Sequence, residues 1–154
     1  MATGEVVCAE RRFPHRGFDV ACGEHRAELV WHYLARSWNA VIDGTEYQIR
    51  KEGLVRMRWT MWRGSASVMS ARGRQTFRYP YELDLETPAG PLGLERVPFI
   101  FVSGVDLYRG QAVLARIAPP HMFSFRINVT LYTDVPFELL CFAICLSAEM
   151  RRIG

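Results

Sequence analysis

Arginine is the residue type whose placement in this sequence can do chemistry. Arg56 and Arg58 share one face of an alternating stretch, Arg63 follows at its end, and Arg72, Arg74 and Arg78 surround the next turns. A guanidinium stays charged at any physiological pH, and its planar fork of donors matches phosphate or carboxylate oxygens. Neighbouring strands would gather these side chains into a basic patch on the outside of a sheet, a candidate surface for an anion or a phospholipid headgroup. Attraction to an anionic membrane is about 1 kcal/mol per basic residue held near it. Trp62 falls on the same face, where an amphipathic ring beside arginines suits an interface. The same arginines also read as an ordinary solvated face, balanced by Glu82, Asp84 and Glu86.

Other reactive side chains form no recognisable constellation. His15, His25, His32 and His121 are scattered, with no H-E-x-x-H spacing, and His25 and His32 would point to opposite faces of a strand. Cys8, Cys22, Cys141 and Cys145 contain no C-x-x-C pair, so a zinc site is not expected. Cys141 and Cys145 lie four apart, on one face of a helix, and read as buried reduced thiols. None of Ser65, Ser67, Ser70, Ser103 and Ser124 sits in a G-x-S-x-G elbow. Gly90-Pro91-Leu92-Gly93 lacks the lysine and following helix of a phosphate loop and reads as a turn. Glu138 reads as a carboxylate favoured by a helix N-terminus rather than as an acid–base group. No catalytic residue, metal or cofactor is expected.

The elements that must carry these residues are mostly strands. Phe123, Phe125, Ile127, Val129 and Leu131 alternate with polar residues through Met122–Thr133, the period of a half-buried strand. Thr76–Glu86 repeats the pattern, with Pro80 suited to an edge or bulge. Val55–Trp62 places Val55, Met57, Trp59 and Met61 on one face and Arg56, Arg58, Thr60 and Trp62 on the other. Weaker strands are expected at Phe18–Cys22, Glu28–Tyr33, Trp38–Ile42, Thr45–Arg50, Ser67–Ala71, Pro98–Val102 and Ala112–Ile117. Asp43-Gly44 is a tight hairpin signal. Further turn signals, among them Ser103-Gly104, recur at roughly ten-residue spacing, the rhythm of a sandwich or barrel.

The period changes after Asp134, a suitable N-cap, and Pro136, suited to a first turn. From Val135 to Met150 apolar residues cover every side of a helix, interrupted by Glu138, Ser147 and Glu149, with Arg151 and Arg152 in the last turn. A helix apolar all round must be surrounded. Its apolar stretch falls short of the roughly 20 residues needed to span a bilayer.

Length and composition bound the rest. The 154 residues suit one domain, and 49% hydrophobic against 23% charged residues excludes disorder as the main state. A net charge of +3 is too small for a dedicated nucleic-acid binder, although 18 of the 19 basic residues are arginine and only Lys51 is lysine. The first residues lack the basic and apolar regions of a secretory signal, and the thiols suit a reducing compartment, so a cytosolic location is expected.

A meander of short strands followed by one helix apolar on all sides resembles the tubby C-terminal-like superfamily. That group includes tubby proteins, phospholipid scramblases and LURP-one-related proteins. Gly44-Thr45-Glu46-Tyr47-Gln48-Ile49-Arg50, Phe77-Arg78-Tyr79-Pro80-Tyr81-Glu82-Leu83 and the run from Phe123 through Arg152 carry the resemblance. It implies a mainly β chain: an antiparallel closed or nearly closed barrel over residues 1–154, enclosing a hydrophobic C-terminal helix at about 135–152. It also implies basic residues on the barrel that meet phosphoinositide headgroups. The resulting expectation is a non-enzymatic binding module, cytoplasmic or peripheral at a membrane. Its partner is an anionic phospholipid surface or a protein, met through Arg56, Arg58, Arg63, Arg72, Arg74, Arg78 and Trp62. A hollow, lipocalin-like barrel with the helix packed outside, and an enzyme with a spatially assembled site, are the alternatives.

Overall fold

The computed structural model describes residues 1–11, 16–52, 58–73, 82–98, 103–118 and 127–152. Twelve antiparallel strands close into one barrel. They are β1 (Val6–Arg11), β2 (Gly17–Cys22), β3 (His25–His32), β4 (Ser37–Ile42), β5 (Thr45–Glu52) and β6 (Arg58–Arg63). The second half follows with β7 (Ala66–Gly73), β8 (Glu82–Thr87), β9 (Gly90–Pro98), β10 (Ser103–Arg109), β11 (Ala112–Ala118) and β12 (Ile127–Leu131), then helix α1 (Phe137–Arg152). Each strand pairs with its neighbours in sequence, and β1 pairs with β12 to close the ring. Closure leaves no exposed sheet edge.

Alternation sorts the side chains. Leu29, Trp38, Ile49, Met61, Leu85, Leu107 and Ile117 are buried on the inner face, from strands all around the ring. Helix α1 packs against β10 and also against β3 and β4, which lie across the barrel from β10. Every residue from Leu140 to Leu146 is fully buried. The helix therefore fills the lumen, as an all-round apolar surface requires. Its one buried hydroxyl, Ser147, donates to the Ile144 carbonyl at 2.7 Å. A hollow barrel with the helix outside is thereby replaced: the space it needs for a ligand is occupied. No helix among the described residues is long and apolar enough to cross a membrane.

The barrel has two unlike ends. At the entry end Phe137 stacks on His25, with ring centroids 4.9 Å apart, and Ala2 and Val135 exchange backbone hydrogen bonds of 2.6 and 3.2 Å. Five two-residue hairpins close this end. Asp43-Gly44 shows why: both residues have positive φ, 48° and 81°, the twist-matched geometry of a type I′ turn. At the exit end the Trp38 indole N–H donates to Glu149 at 3.1 Å, and the connections between strands are longer.

Several expectations shift. Gly90-Pro91-Leu92-Gly93 is not a turn but the start of β9, and Ser103-Gly104 opens β10. The turn chemistry misled because Gly93 serves packing instead: a Cβ there would lie 2.3 Å from the Tyr108 ring on the facing strand. Of the expected strand Pro98–Val102 only Pro98 is described, as the last residue of β9. The first halves of the expected strands at Val55, Thr76 and Met122 fall outside the described residues, while their second halves form β6, β8 and β12.

Candidate functional site

The outer face of β4–β7 holds the one cluster of buried polar groups without partners among the described residues. Four such atoms are Ser37 Oγ, Arg58 Nε, Thr60 Oγ1 and Trp62 Nε1. All four project outward from strands β4 and β6, with β5 between them. The register assembles them. Ser37 pairs with Arg50, Arg50 with Thr60, and Thr60 with Ser70, so one row crosses four strands. A second row places Glu52 beside Arg58 and Arg58 directly opposite Arg72. Trp62 pairs with Gln48 on one side and, past a bulge, with Ser67 on the other.

Burial makes these groups costly. Ser37 is 3% exposed, Thr60 2% and Ser70 7%. A buried donor or acceptor without a partner costs about 1–3 kcal/mol. Arg58 and Arg72 face each other across β6–β7, flanked in the same row by Glu52 on β5 and Asp84 on β8. Arg50 folds onto the neutral Gln48, donating from Nε to Oε1 at 2.7 Å. Several arginines elsewhere are engaged by full charges or carbonyls, Arg26 and Arg109 among them. Arg116 clamps Asp106 with bonds of 2.8 and 2.9 Å. Arg11 holds Asp19 at 2.7 Å and also reaches Glu28. Donating to these carboxylates raises the pKa of both guanidiniums.

A larger groove of about 1,020 Å³ runs over the outside of β1–β4, past Val7, Ala9, Ala21 and Val41. Most of its charged groups have partners: Asp19 and Glu28 bind Arg11, and His25 Nδ1 meets Asp43 at 2.6 Å. Partial burial works against ionisation of Asp43, but the Arg26 N–H and the His25 ring outweigh it and lower its pKa. Size therefore points to the groove, and unsatisfied chemistry points to the β4–β7 face.

The sequence-derived candidates divide. Arg58 and Arg72 meet as expected, and Trp62 shares their face, although it is half-buried rather than exposed. Arg63 stands apart. It lies at the opposite end of β6, about 16 Å along the strand from Arg58. Its parity is that of Trp59 and Met61, and it lines a cavity of about 240 Å³ with Glu138 at the helix entrance. Arg56, Arg74 and Arg78, with His15 and His121, lie outside the described residues. Ser37, Arg50 and Thr60 were not singled out as site residues. A signal existed for one pairing: a two-residue turn at Asp43-Gly44 sets Ser37 opposite Arg50 by counting outward.

Chemically the face offers guanidinium, hydroxyl and indole donors along β6, groups of the kind that bind oxyanions. It lacks an activated nucleophile. His32 stands across from Ser37, yet Ser37 Oγ has no hydrogen-bond partner, and His32 Nε2 meets Asn39 at 3.0 Å. The four thiols are buried and form no disulfide, and burial raises the pKa of Cys141 and Cys145 well above the usual thiol value. Comparison with protein-family models, curated proteins and solved structures returns no match.

Proposed function

We propose that this chain is a non-enzymatic binding module that holds an anionic phospholipid headgroup against the outer face of β4–β7. The observation that carries the reading is the row of orphaned donors: Arg58 Nε, Thr60 Oγ1 and Trp62 Nε1, beside Arg50 and Arg72. A phosphate brings several acceptor oxygens and negative charge, the complement of guanidinium and hydroxyl donors such as those of Arg58 and Thr60. The barrel wrapped around an apolar helix supports the resemblance to the tubby-like superfamily, and we place the chain there as part of the same proposal. A filled lumen leaves the outside of the barrel for binding. The location that follows is peripheral, at an anionic membrane surface.

Flotation with phosphatidylcholine–phosphatidylserine vesicles tests it. Retention at low salt that weakens as salt screens the charges is the expected result. Arg58→Ala and Arg72→Ala should each weaken retention about fivefold to tenfold, the size of one lost charged contact. Retention that ignores both substitutions, or no retention at low salt, would overturn the reading. Pull-down of a protein that survives high salt would point to the other partner class.

A further inference from the structure

We propose that the barrel docks end-on, with the β3–β4 hairpin tip entering the interface of an anionic phospholipid bilayer. The inference rests on the headgroup reading and adds the orientation and the part of the chain that leaves water. Tyr33 is 85% exposed and Leu34 100% exposed at this tip, the two most exposed large apolar side chains among the described residues. The tip is braced from below. Trp31 pairs with Trp38, their rings 5.5 Å apart, and Trp38 stacks on Phe18 and is tied to Glu149 on the core helix. An apolar pair held out on a braced stem has no role in the barrel core. Tyrosine and leucine at a tip match the headgroup–acyl boundary, where one end of the tyrosine ring stays wet.

Charge along the barrel axis selects an anionic surface. Among the described residues the connections at the exit end carry Arg16 and Arg36 and neither aspartate nor glutamate, and helix α1 ends there on Arg151 and Arg152. The entry end is the reverse. Residues 1–5, the five hairpin turns and residues 132–136 contain Glu5, Glu24, Asp43 and Asp134 but no arginine or lysine. A negative bilayer therefore attracts one end and repels the other. The Ser37–Arg50–Thr60 row begins where this hairpin returns, since Ser37 is the first residue of β4, so the Arg58–Thr60 part of the headgroup site and the tip share one rim, while Trp62 lies toward the entry end.

The four native cysteines are buried, so a single thiol-reactive, polarity-sensitive dye can be placed at Leu34→Cys, with Gln111→Cys at the entry end as control. Vesicles containing phosphatidylserine should shift the Leu34→Cys label to the blue and leave the Gln111→Cys label unchanged. Pure phosphatidylcholine should shift neither. Leu34→Glu should weaken vesicle binding tenfold or more with an unchanged melting temperature. A label at Leu34→Cys that stays water-like while Arg58→Ala still lowers flotation overturns end-on docking and leaves the headgroup site standing. A blue shift that is indifferent to Arg58→Ala and Thr60→Val overturns the headgroup site instead and supports the tip. Binding to soluble polyanions such as heparin with no label shift on any vesicle overturns the bilayer as the occupant.

Discussion

Thr60 would serve the fold better as valine. Its hydroxyl is 2% exposed and unpartnered, so it carries a desolvation cost that a methyl of the same shape avoids. Thr60→Val should stabilise the chain by about 1 kcal/mol, or about 2–4 °C in melting temperature for a protein of this size, while vesicle retention falls. A lower melting temperature would mean that the hydroxyl does have a partner. Arg58 and Trp62 were legible in the sequence because alternation alone assigns a face, whereas Arg72 read as part of an Arg72-Gly73-Arg74 turn and lies inside β7. Thr60 was placed on that face too, but its isolation was not legible. Whether a hydroxyl is satisfied depends on Arg50 and Ser70, ten residues away on either side and brought alongside only by pairing. Arg63 misled for the opposite reason: nearness in sequence to Arg58 concealed a different parity and the other end of the strand.

At the scale of elements, turn chemistry was the better guide where a turn was present and the worse one where a glycine served packing. Asp43-Gly44 announced β4 and β5 correctly, whereas Gly90 to Gly93 announced a turn in place of a strand. The reason for Gly93 lies on β10, in the ring of Tyr108, fifteen residues further along. Gly17 is the stricter case. A Cβ at this position would come within 1.9 Å of the Leu29 carbonyl oxygen, and that atom belongs to the paired backbone of β3. Gly17→Ala should separate β2 from β3 locally and cost about 2–4 kcal/mol, read by chemical denaturation. A loss below about 0.5 kcal/mol would show that the strands relax without penalty.

On the scale of the whole molecule, the helix was legible because its apolar residues leave no polar stripe, and a short segment of that kind has to be enclosed. The number of strands was less legible. Twelve strands fit in this length only because five connections are two-residue turns and six of the strands run six residues or fewer. Enclosure predicts a dynamic property. The amides of Leu140 to Cys145 should exchange with solvent only through global unfolding, with free energies equal to the highest found in the barrel. Faster exchange there than in β9 and β10 would show that the helix leaves the lumen while the strands stay paired.

The order of synthesis gives this architecture a further consequence. All twelve strands leave the ribosome before the helix that fills them, so the growing chain carries a ring of apolar inner faces with nothing yet to cover them. Early hairpins can form, because each is local in sequence, but the ring gains its interior only when the last element arrives. Until then Leu29, Met61, Leu85 and their neighbours depend on transient collapse or on a chaperone. A premature stop after β12 would thus remove far more than its share of the chain: it would leave a complete set of walls and no core to stand on.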